Sequence, residues 1–335
     1  MIEAGSPLDG VDVLLADLDG VLYAAADPIP YAVDAVNAAV ADGVRVGYIT
    51  NNAARIDARV AEQLRGFGLD VAPRDVVTSP QAAVDLLRDV VPPGARILVV
   101  GGEGITHELE LAGYRTTSSA EDRPAAVLQG FHPSVGWEQL AEASFAIRGL
   151  DIPWIATNQD WTIPHSRGVA PGNGTLVAAV HTATGRMPII AGKPERAIFD
   201  TAIERLGARR PLVVGDRLDT DVLGANRAGI PGALVLTGID GPKQLVAAAP
   251  EERPAYILDD LRELFTPYPM PRVEDGVVRV RDAAIRLDGH RIEVLAGGTR
   301  HTDLVRAACA VIWGSGLAIY AFEVPEAVYT PPRAA

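Results

Sequence analysis

Residues 11–23 read Val11-Asp12-Val13-Leu14-Leu15-Ala16-Asp17-Leu18-Asp19-Gly20-Val21-Leu22-Tyr23, an apolar run that stops on two aspartates. Short runs rich in leucine and β-branched residues are typical of buried parallel strands, whose carboxyl ends bind ligands in open α/β sheets. Asp17 and Asp19 are two positions apart, so strand alternation would direct both carboxylates to one side. Such a pair suits a bound cation or an acid beside an anion. The same residues are also consistent with an acidic turn that ends the strand and has no role in binding.

Length and composition limit what this chain can be. It has 335 residues, of which 48% are hydrophobic, and a formal net charge of −13. This length suffices for two or three domains, and the apolar content excludes a disordered chain. The negative charge argues against nucleic acid or an anionic membrane as a partner, because the field of the whole protein would repel either one. If the ligand is anionic, positive potential must therefore be local.

Targeting segments and cysteine chemistry are constrained as well. Residues 1–7 contain no basic segment leading into an apolar one, and no stretch approaches the ~18 apolar residues of a membrane span. We therefore expect a cytoplasmic protein without membrane insertion. The single cysteine, Cys309, excludes an internal disulfide and a multi-thiolate metal site. It lies in the apolar run 307–312, which favours a buried structural thiol.

Polar residues follow three further predicted strands. The strand at 44–49 leads into Thr50 and Asn51, the strand at 189–191 leads into Lys193, and the strand at 211–215 leads into Asp216 and Asp221. If these strands and the first one are parallel in one sheet, their polar ends meet in one crevice. Carboxylates suit Mg²⁺, whereas lysine, threonine and backbone N–H groups suit phosphate oxygens. This combination favours phosphoryl transfer, and a carboxylate can itself attack phosphorus.

Breaks rich in glycine and proline divide the chain. The run Val91-Pro92-Pro93-Gly94 precedes a second α/β pattern, and the proline-rich segment 267–271 precedes a stretch of alternating residues. We predict a first domain built from residues 1–78 and 187–268, an inserted domain at 79–186, and a small α+β domain at 269–335. In the last of these we expect a helix at 302–313 and strands at 277–280, 285–287, 291–295 and 317–322.

Together, the four strand ends resemble the motifs of a known enzyme family. Asp17-Leu18-Asp19-Gly20, Thr50-Asn51-Asn52, Gly192-Lys193-Pro194 and the segment 215–221, Gly-Asp-Arg-Leu-Asp-Thr-Asp, match the four motifs of haloacid dehalogenase (HAD) superfamily phosphatases in order and spacing. The long insertion between the second and third motifs resembles that of subfamily IIA, which includes the NagD-like enzymes and p-nitrophenyl phosphatase. The resemblance implies a Rossmann-like core at residues 1–78 and 187–268, interrupted by an α/β cap of the C2 type.

The resemblance also implies a role for each motif residue. Asp17 would be the nucleophile, and Asp19 would be the general acid that protonates the leaving alcohol and then the base that activates water. The cofactor would be Mg²⁺, held by the Asp17 carboxylate, the Asp19 backbone carbonyl and Asp216, with Asp221 in support. The phosphoryl group would be bound by Leu18, Thr50, Asn51 and Lys193.

The cap is expected to select the substrate, since it closes over the leaving group. Asn158 and Asp160, with Trp161 and His165 nearby, are its candidate residues, although each fits a turn or packing role equally well. The layout with a short C-terminal domain resembles that of actinobacterial glycerol 3-phosphate phosphatases, whose C-terminal part is similar to a truncated acetyltransferase. This likeness implies hydrolysis of glycerol 3-phosphate, an ester of glycerophospholipid metabolism.

Several alternatives fit the same motifs. Phosphoglycolate, pyridoxal phosphate or a nucleotide could be the phosphomonoester substrate, because the motif residues would be shared. A non-catalytic binding or regulatory protein that uses its C-terminal domain to recruit a partner is the alternative from another class. A homodimer is expected by analogy with the subfamily, in which caps often mediate dimers.

Overall fold

The computed structural model of the chain describes residues 5–165 and 167–330. Within these ranges the strands are β1 (Val13–Ala16), β2 (Tyr23–Ala24), β3 (Asp27–Pro28), β4 (Arg45–Thr50), β5 (Val76–Thr78), β6 (Arg96–Val100), β7 (Arg115–Thr117), β8 (Ala126–Gln129), β9 (Trp154–Ala156), β10 (Thr162–His165), β11 (Gly168–Pro171), β12 (Ile189–Ile190), β13 (Pro211–Gly215), β14 (Gly232–Val235), β15 (Tyr256–Leu258), β16 (Arg272–Glu274), β17 (Val277–Val280), β18 (Ala283–Asp288) and β19 (Arg291–Gly297). The α-helices are α1 (Ala32–Ala41), α2 (Asp57–Gly66), α3 (Ser79–Val90), α4 (Glu103–Leu111), α5 (Trp137–Leu150), α6 (Asn173–Thr184), α7 (Arg196–Leu206), α8 (Leu223–Ala228), α9 (Pro242–Val246) and α10 (His301–Ser315). The chain forms two compact units, one made of the residues up to Val46 and from Arg209, and the other of those from Gly47 to Ala208.

The first unit is built on parallel strands. β1 pairs with β13, β13 with β14, and β14 with β15. Every residue of β1 is buried, as its unbroken apolar run predicts. The register places Ala16 opposite Val214, and the Asp17 N–H donates to the Val214 carbonyl at 2.9 Å. The chain therefore leaves β1 and β13 side by side, and the acidic segments after these strands start next to each other.

Residues 272–328 of the first unit form what we call the C-terminal layer. Its antiparallel sheet has the order β16-β17-β18-β19, and α10 packs on β17 and β18. The predicted α+β pattern is thus confirmed, but the expected strand at 317–322 is wrong, because Ile319–Ala321 form a single 3₁₀ turn. Glu323, which lies just beyond the expected strand, forms a single bridge to Arg291 at the start of β19. β16 was not predicted, since all three of its residues are exposed and leave no apolar alternation.

The second unit contains a parallel sheet of its own, in the order β12-β9-β8-β6-β7. Buried side chains of α5 and α6 join those of β6, β8 and β9 in one apolar cluster. We expected the strand before Lys193 to lie in the sheet of the acidic strands. Instead, β12 pairs with β9, and the Ala191 N–H donates to the Ala156 carbonyl at 3.0 Å. A strand of two isoleucines carries no sequence information about its partner, which explains the difference.

Two further expectations concern burial and membrane segments. Cys309 lies within α10 and is buried, as the surrounding apolar run predicts. No helix in the described ranges is both long and apolar enough to cross a bilayer.

Candidate active site

Three carboxylates gather where β1 and β13 end. Asp17 follows β1, while Asp216 and Asp221 follow β13, and one carboxylate oxygen of each lies within 4.8 Å of those of the other two. Asp216 is 2% exposed and Asp221 is 1% exposed, whereas Asp17 is half-buried. Like charges this close repel strongly in a buried setting, so the group is suited to share a cation.

Backbone N–H groups hold the two buried carboxylates in place. The Ile239 N–H donates to Asp216 Oδ2 at 2.7 Å, and the Arg217 N–H donates to Asp221 Oδ2 at 3.1 Å. Asp221 lies in a short π-helical turn at 218–222, in which the Val222 N–H reaches back to the Arg217 carbonyl at 3.1 Å. Such turns are rare and often occur at functional sites, since they redirect a side chain.

Glycines let the backbone approach these carboxylates closely. A Cβ atom at Gly20 would lie 2.2 Å from Asp216 Oδ2, and one at Gly238 would lie 2.0 Å from the same oxygen. Gly20 also has a φ of +78°, which side chains other than glycine rarely adopt. The Asp17-Leu18-Asp19-Gly20 turn therefore needs its glycine both for its conformation and for the space that Asp216 occupies.

Asp19 has a different setting from Asp17. It is exposed, and its carboxylate lies outside the group of three. Leu18, between the two, is fully buried, and the turn is closed by the Gly20 N–H, which donates to the Tyr23 carbonyl at 2.9 Å. The structure thus places one aspartate against the buried carboxylates and leaves the other open to solvent.

The remaining predicted residues come together within the second unit, around the side chain of Asn51. Its Nδ2 donates to Asp160 Oδ1 at 3.1 Å and to the Lys193 carbonyl at 3.0 Å, and its Oδ1 accepts the Lys193 N–H at 2.8 Å. Asn158 Nδ2 donates to the Asn51 carbonyl at 2.7 Å. One asparagine thereby links the segments that carry Thr50, Asp160 and Lys193.

These bonds bear on the roles expected for Asn51 and Asn158. Both polar atoms of the Asn51 amide are already bonded, to the Asp160 carboxylate and to the Lys193 backbone, so a contact of Asn51 with phosphate is expected from its backbone. Asn158 is 4% exposed, and its Oδ1 accepts the Asp160 N–H at 3.2 Å. The surroundings of Asn158 therefore fit a turn role, in which its side chain shapes the loop that presents Asp160.

Small residues make room for that loop. A Cβ atom at Gly172 would lie 2.2 Å from the Asp160 carbonyl oxygen, and one at Gly174 would lie 2.5 Å from the Gln159 carbonyl oxygen. Between them, Asn173 is buried and donates from Nδ2 to the Asn158 carbonyl at 2.8 Å. The Pro171-Gly172-Asn173-Gly174 run is thus the surface on which the 158–160 loop rests.

Two of the four residues expected to bind the phosphoryl group, Thr50 and Lys193, have buried side chains. Thr50 is 5% exposed, with its Oγ1 accepting the Asn52 N–H at 3.1 Å, and Lys193 is 4% exposed. Trp161, by contrast, is 59% exposed. The side chain of His165 lies outside the described residues.

The donor set fits a magnesium ion. Asp17, Asp216 and Asp221 offer carboxylate oxygens only, which are the hard ligands that Mg²⁺ prefers over softer donors. The two nearly inaccessible members, Asp216 and Asp221, would hold the ion, while the half-buried Asp17 could also face a substrate.

Asp240 and Ser79 hold parts of the site in place, but the sequence does not predict this role. The Asp240 carboxylate accepts the Leu218 N–H at 2.7 Å, and the Asp240 N–H donates to the Asp216 carbonyl at 3.1 Å. Burial raises the pKa of Asp240, and the Leu218 hydrogen bond opposes that rise. Ser79 donates from Oγ to the Asn51 carbonyl at 2.7 Å. Neither residue belongs to a recognisable motif, so a single sequence gives no reason to select it.

Comparison with known proteins relates this site to a family. A family model described as haloacid dehalogenase-like hydrolase matches residues 14–115, and a second one, HAD-hydrolase-like, matches residues 190–264. D-Glycerol 3-phosphate phosphatase from Mycobacterium tuberculosis is 41% identical over 310 residues, which cover 90% of this chain and 86% of that protein. The chain belongs to the haloacid dehalogenase-like hydrolases.

Solved structures of the family extend the likeness to three dimensions. A glycerol phosphate phosphatase from M. tuberculosis in complex with magnesium has a TM-score of 0.85 and 39% identity, covering 96% of this chain and 95% of that one. p-Nitrophenyl phosphatase from Archaeoglobus fulgidus has a TM-score of 0.70 and 30% identity, covering 76% of this chain and 98% of that one. The resemblance seen in the four motifs and the predicted α/β fold class are thereby confirmed, as is the expectation of a hydrolase.

Proposed function

We propose that this chain is a Mg²⁺-dependent phosphomonoesterase that hydrolyses glycerol 3-phosphate to glycerol and phosphate through an aspartyl phosphate. The observation that carries the proposal is the group formed by Asp17, Asp216 and Asp221 at the adjoining ends of β1 and β13. The choice of ester follows the D-glycerol 3-phosphate phosphatase of M. tuberculosis, which is 41% identical over 90% of this chain.

The ion and the protein groups divide the work. Asp216 and Asp221, with Asp17 and the backbone carbonyl of Asp19, would hold Mg²⁺, which when bound would offset negative charge on the phosphoryl oxygens and keep Asp17 ionised. Thr50 and Lys193 would bind the remaining phosphoryl oxygens, as the resemblance implies. Asp19 is not needed as a carboxylate ligand, so it can carry a proton.

The reaction would take place in two displacements. In the first, a carboxylate oxygen of Asp17 forms a bond to phosphorus while the bond to the glycerol oxygen breaks, and Asp19 gives its proton to that oxygen. In the second, Asp19 takes a proton from a water molecule, the water oxygen bonds to phosphorus, and the Asp17–phosphorus bond breaks. Phosphate leaves, Asp17 is again a free carboxylate, and Asp19 is again protonated.

Selection of the ester is assigned to the cap, for which we propose residues 79–186. Asp160 is its foremost candidate for contact with the leaving group, because Asn51, Asn158 and the glycines at 172 and 174 fix the loop that carries it.

We also propose a homodimer, as the resemblance implies. Light scattering on the full chain tests this oligomeric state.

Phosphate release from a panel of esters tests the function. The panel holds glycerol 3-phosphate, phosphoglycolate, pyridoxal phosphate and a nucleoside monophosphate, each with Mg²⁺ or with EDTA, for wild type and Asp17→Asn. We expect magnesium-dependent release by wild type, the highest kcat/KM with glycerol 3-phosphate, and no release by Asp17→Asn. A higher kcat/KM with another ester would mean that this ester, and not glycerol 3-phosphate, is the substrate. Absence of turnover for every ester, with tight ester binding, would favour a binding protein instead.

A further inference from the structure

Residues 239 and 240 connect the strand end that carries Asp216 to the turn that carries Asp221. The Asp216 carboxylate accepts the Ile239 N–H at 2.7 Å, and the Asp216 carbonyl accepts the Asp240 N–H at 3.1 Å. The Asp240 side chain then reaches to the other element, where its Oδ2 accepts the Leu218 N–H at 2.7 Å. A single short segment therefore holds both acidic elements at once.

The same segment is anchored in the C-terminal layer. Helix α9 begins immediately after it, with Gly241 as its N-cap residue, and packs against α10. Leu245 of α9 is fully buried, in an apolar cluster that also contains Leu218 and Val222 of the π-helical turn. The same cluster takes in buried residues of α10, namely Leu304, Val305, Ala307, Ala308, Cys309, Val311 and Ile312. Apolar packing by the C-terminal layer thus reaches the two residues that flank Asp219, Thr220 and Asp221.

We propose that Asp240 is a positioning residue for the metal-binding carboxylates, and that packing of α9 against α10 sets the position of the segment that contains it. This inference rests on the proposed function, since it presumes that Asp216 and Asp221 bind Mg²⁺. It gives the C-terminal layer an indirect part in metal binding, through the packing of α10 against α9. Groups that orient metal ligands in this way change metal affinity by about 10- to 100-fold when they are removed.

The first test compares Asp240→Ala with Asp240→Asn. The alanine variant leaves the Leu218 N–H without its acceptor, whereas the asparagine variant keeps an oxygen in that place. Isothermal titration of each full-length protein with Mg²⁺ alone, without substrate, should show affinity about 10- to 100-fold weaker for Asp240→Ala and mostly restored for Asp240→Asn. At saturating Mg²⁺ the KM for the ester should stay near that of wild type. Wild-type Mg²⁺ affinity in Asp240→Ala would overturn the inference.

The second test addresses the packing of α9. Leu245→Ala and Leu98→Ala remove the same atoms from fully buried leucines in two separate apolar clusters, one shared with α10 and the other in the second unit. We expect Mg²⁺ affinity to weaken severalfold in Leu245→Ala and to stay within about twofold of wild type in Leu98→Ala. Equal losses in both variants would mean that general destabilisation is responsible, which would overturn the inference. If Leu245→Ala does not fold, the milder Leu245→Val is titrated in its place, and wild-type Mg²⁺ affinity in that variant would overturn the role of the α9 packing.

Failure of the inference can be told apart from failure of the function. Wild type that binds Mg²⁺ and hydrolyses esters, with Asp240→Ala unaltered in Mg²⁺ binding, would remove the positioning role and leave the enzyme. Wild type that binds no Mg²⁺ in the same titration would overturn the proposed function and, with it, the role of Asp240.

Discussion

Asp17 and Asp19 are two residues apart, yet their surroundings differ in the way that two-step phosphoryl transfer requires. Asp17 lies against two nearly inaccessible carboxylates, where a cation would keep it ionised and ready to attack. Asp19 is exposed and lies outside that group, so its carboxyl can give a proton to the leaving oxygen and then take one from the attacking water. Environment, and not residue type, separates the roles that we propose for them.

Asp19→Asn should therefore separate the two steps when p-nitrophenyl phosphate is the substrate. Nitrophenolate leaves without protonation, so the first displacement should proceed, whereas attack by water would lack its base. We expect a burst of about one equivalent of nitrophenolate per active site, followed by turnover at least roughly 100-fold slower than in wild type. Rapid-mixing absorbance measures both phases. Steady turnover at the wild-type rate would exclude Asp19 from the second step.

Cys309 is the single thiol of the chain. Cys309 is 1% exposed within α10, and burial raises the pKa of its thiol well above the usual range. Because the thiolate is the reactive form, the native protein should not react with a disulfide reagent at pH 8, and one thiol should appear in denaturant. The absorbance of the thiol released from the reagent measures the reaction of the native and of the denatured protein. Rapid reaction of the native protein would contradict the packing described for α10.

Individual elements differ in how far they could be predicted. The sequence predicts β1 and β13, because an apolar run that ends on acid and glycine is typical of a buried strand in an α/β protein. The sequence does not predict which sheet contains β12, because two isoleucines fit any parallel sheet edge. Asn51 shows a related limit: its place in the motif was clear, but its bonds to Asp160 and Lys193 depend on segments more than a hundred residues away.

The turn between β12 and Lys193 should tolerate no added methyl group. A Cβ atom at Gly192 would lie 2.5 Å from both Asn51 Oδ1 and the Thr157 carbonyl oxygen. We expect Gly192→Ala to lower the free energy of unfolding by about 1–3 kcal/mol. Displacement of Lys193 should also lower kcat/KM by up to about 100-fold.

Gly149→Ala is the matched control for Gly192→Ala. Gly149 lies within α5, and its added Cβ atom would have no atom within 4 Å. Alanine is the better helix former, so this variant should gain about 0.5–1 kcal/mol of stability and keep full activity. Urea denaturation and steady-state kinetics measure the pair. Equal behaviour of the two variants would argue against close packing around Asn51.

At the scale of the whole molecule, the C-terminal layer is bonded to the parallel sheet through buried charges. Arg306 of α10 is 2% exposed and donates from Nε to the Ile257 carbonyl at 3.0 Å. It also contacts Glu263 and Asp303, at 2.7 Å each. The alternating pattern after residue 271 predicted a separate α+β domain, but it gave no indication of this attachment. A polar network that joins α10 to residues 257 and 263 leaves no periodic trace in sequence.

Arg306→Met should destabilise the protein strongly, because it leaves Asp303 and Glu263 buried with fewer compensating charges. We expect a loss of about 3–5 kcal/mol in the free energy of unfolding. Arg286→Met is the matched control in the same layer, where Arg286 pairs with Glu293 in a largely exposed setting. An exposed pair of that kind contributes at most about 1 kcal/mol. Similar losses in both variants, measured by urea denaturation, would show that the Arg306 network does not anchor the layer.

The dependence of phosphate release on Mg²⁺ shows whether Asp17, Asp216 and Asp221 form a catalytic magnesium site. Wild type and Asp216→Asn would be stripped with EDTA and titrated with Mg²⁺ in the presence of glycerol 3-phosphate. We expect stripped wild type to be inactive, Mg²⁺ to restore its activity, and Asp216→Asn to need about 10-fold or more Mg²⁺ for half-maximal release. Activity that survives EDTA, or a wild-type Mg²⁺ requirement in Asp216→Asn, would contradict a magnesium site built on the ends of β1 and β13.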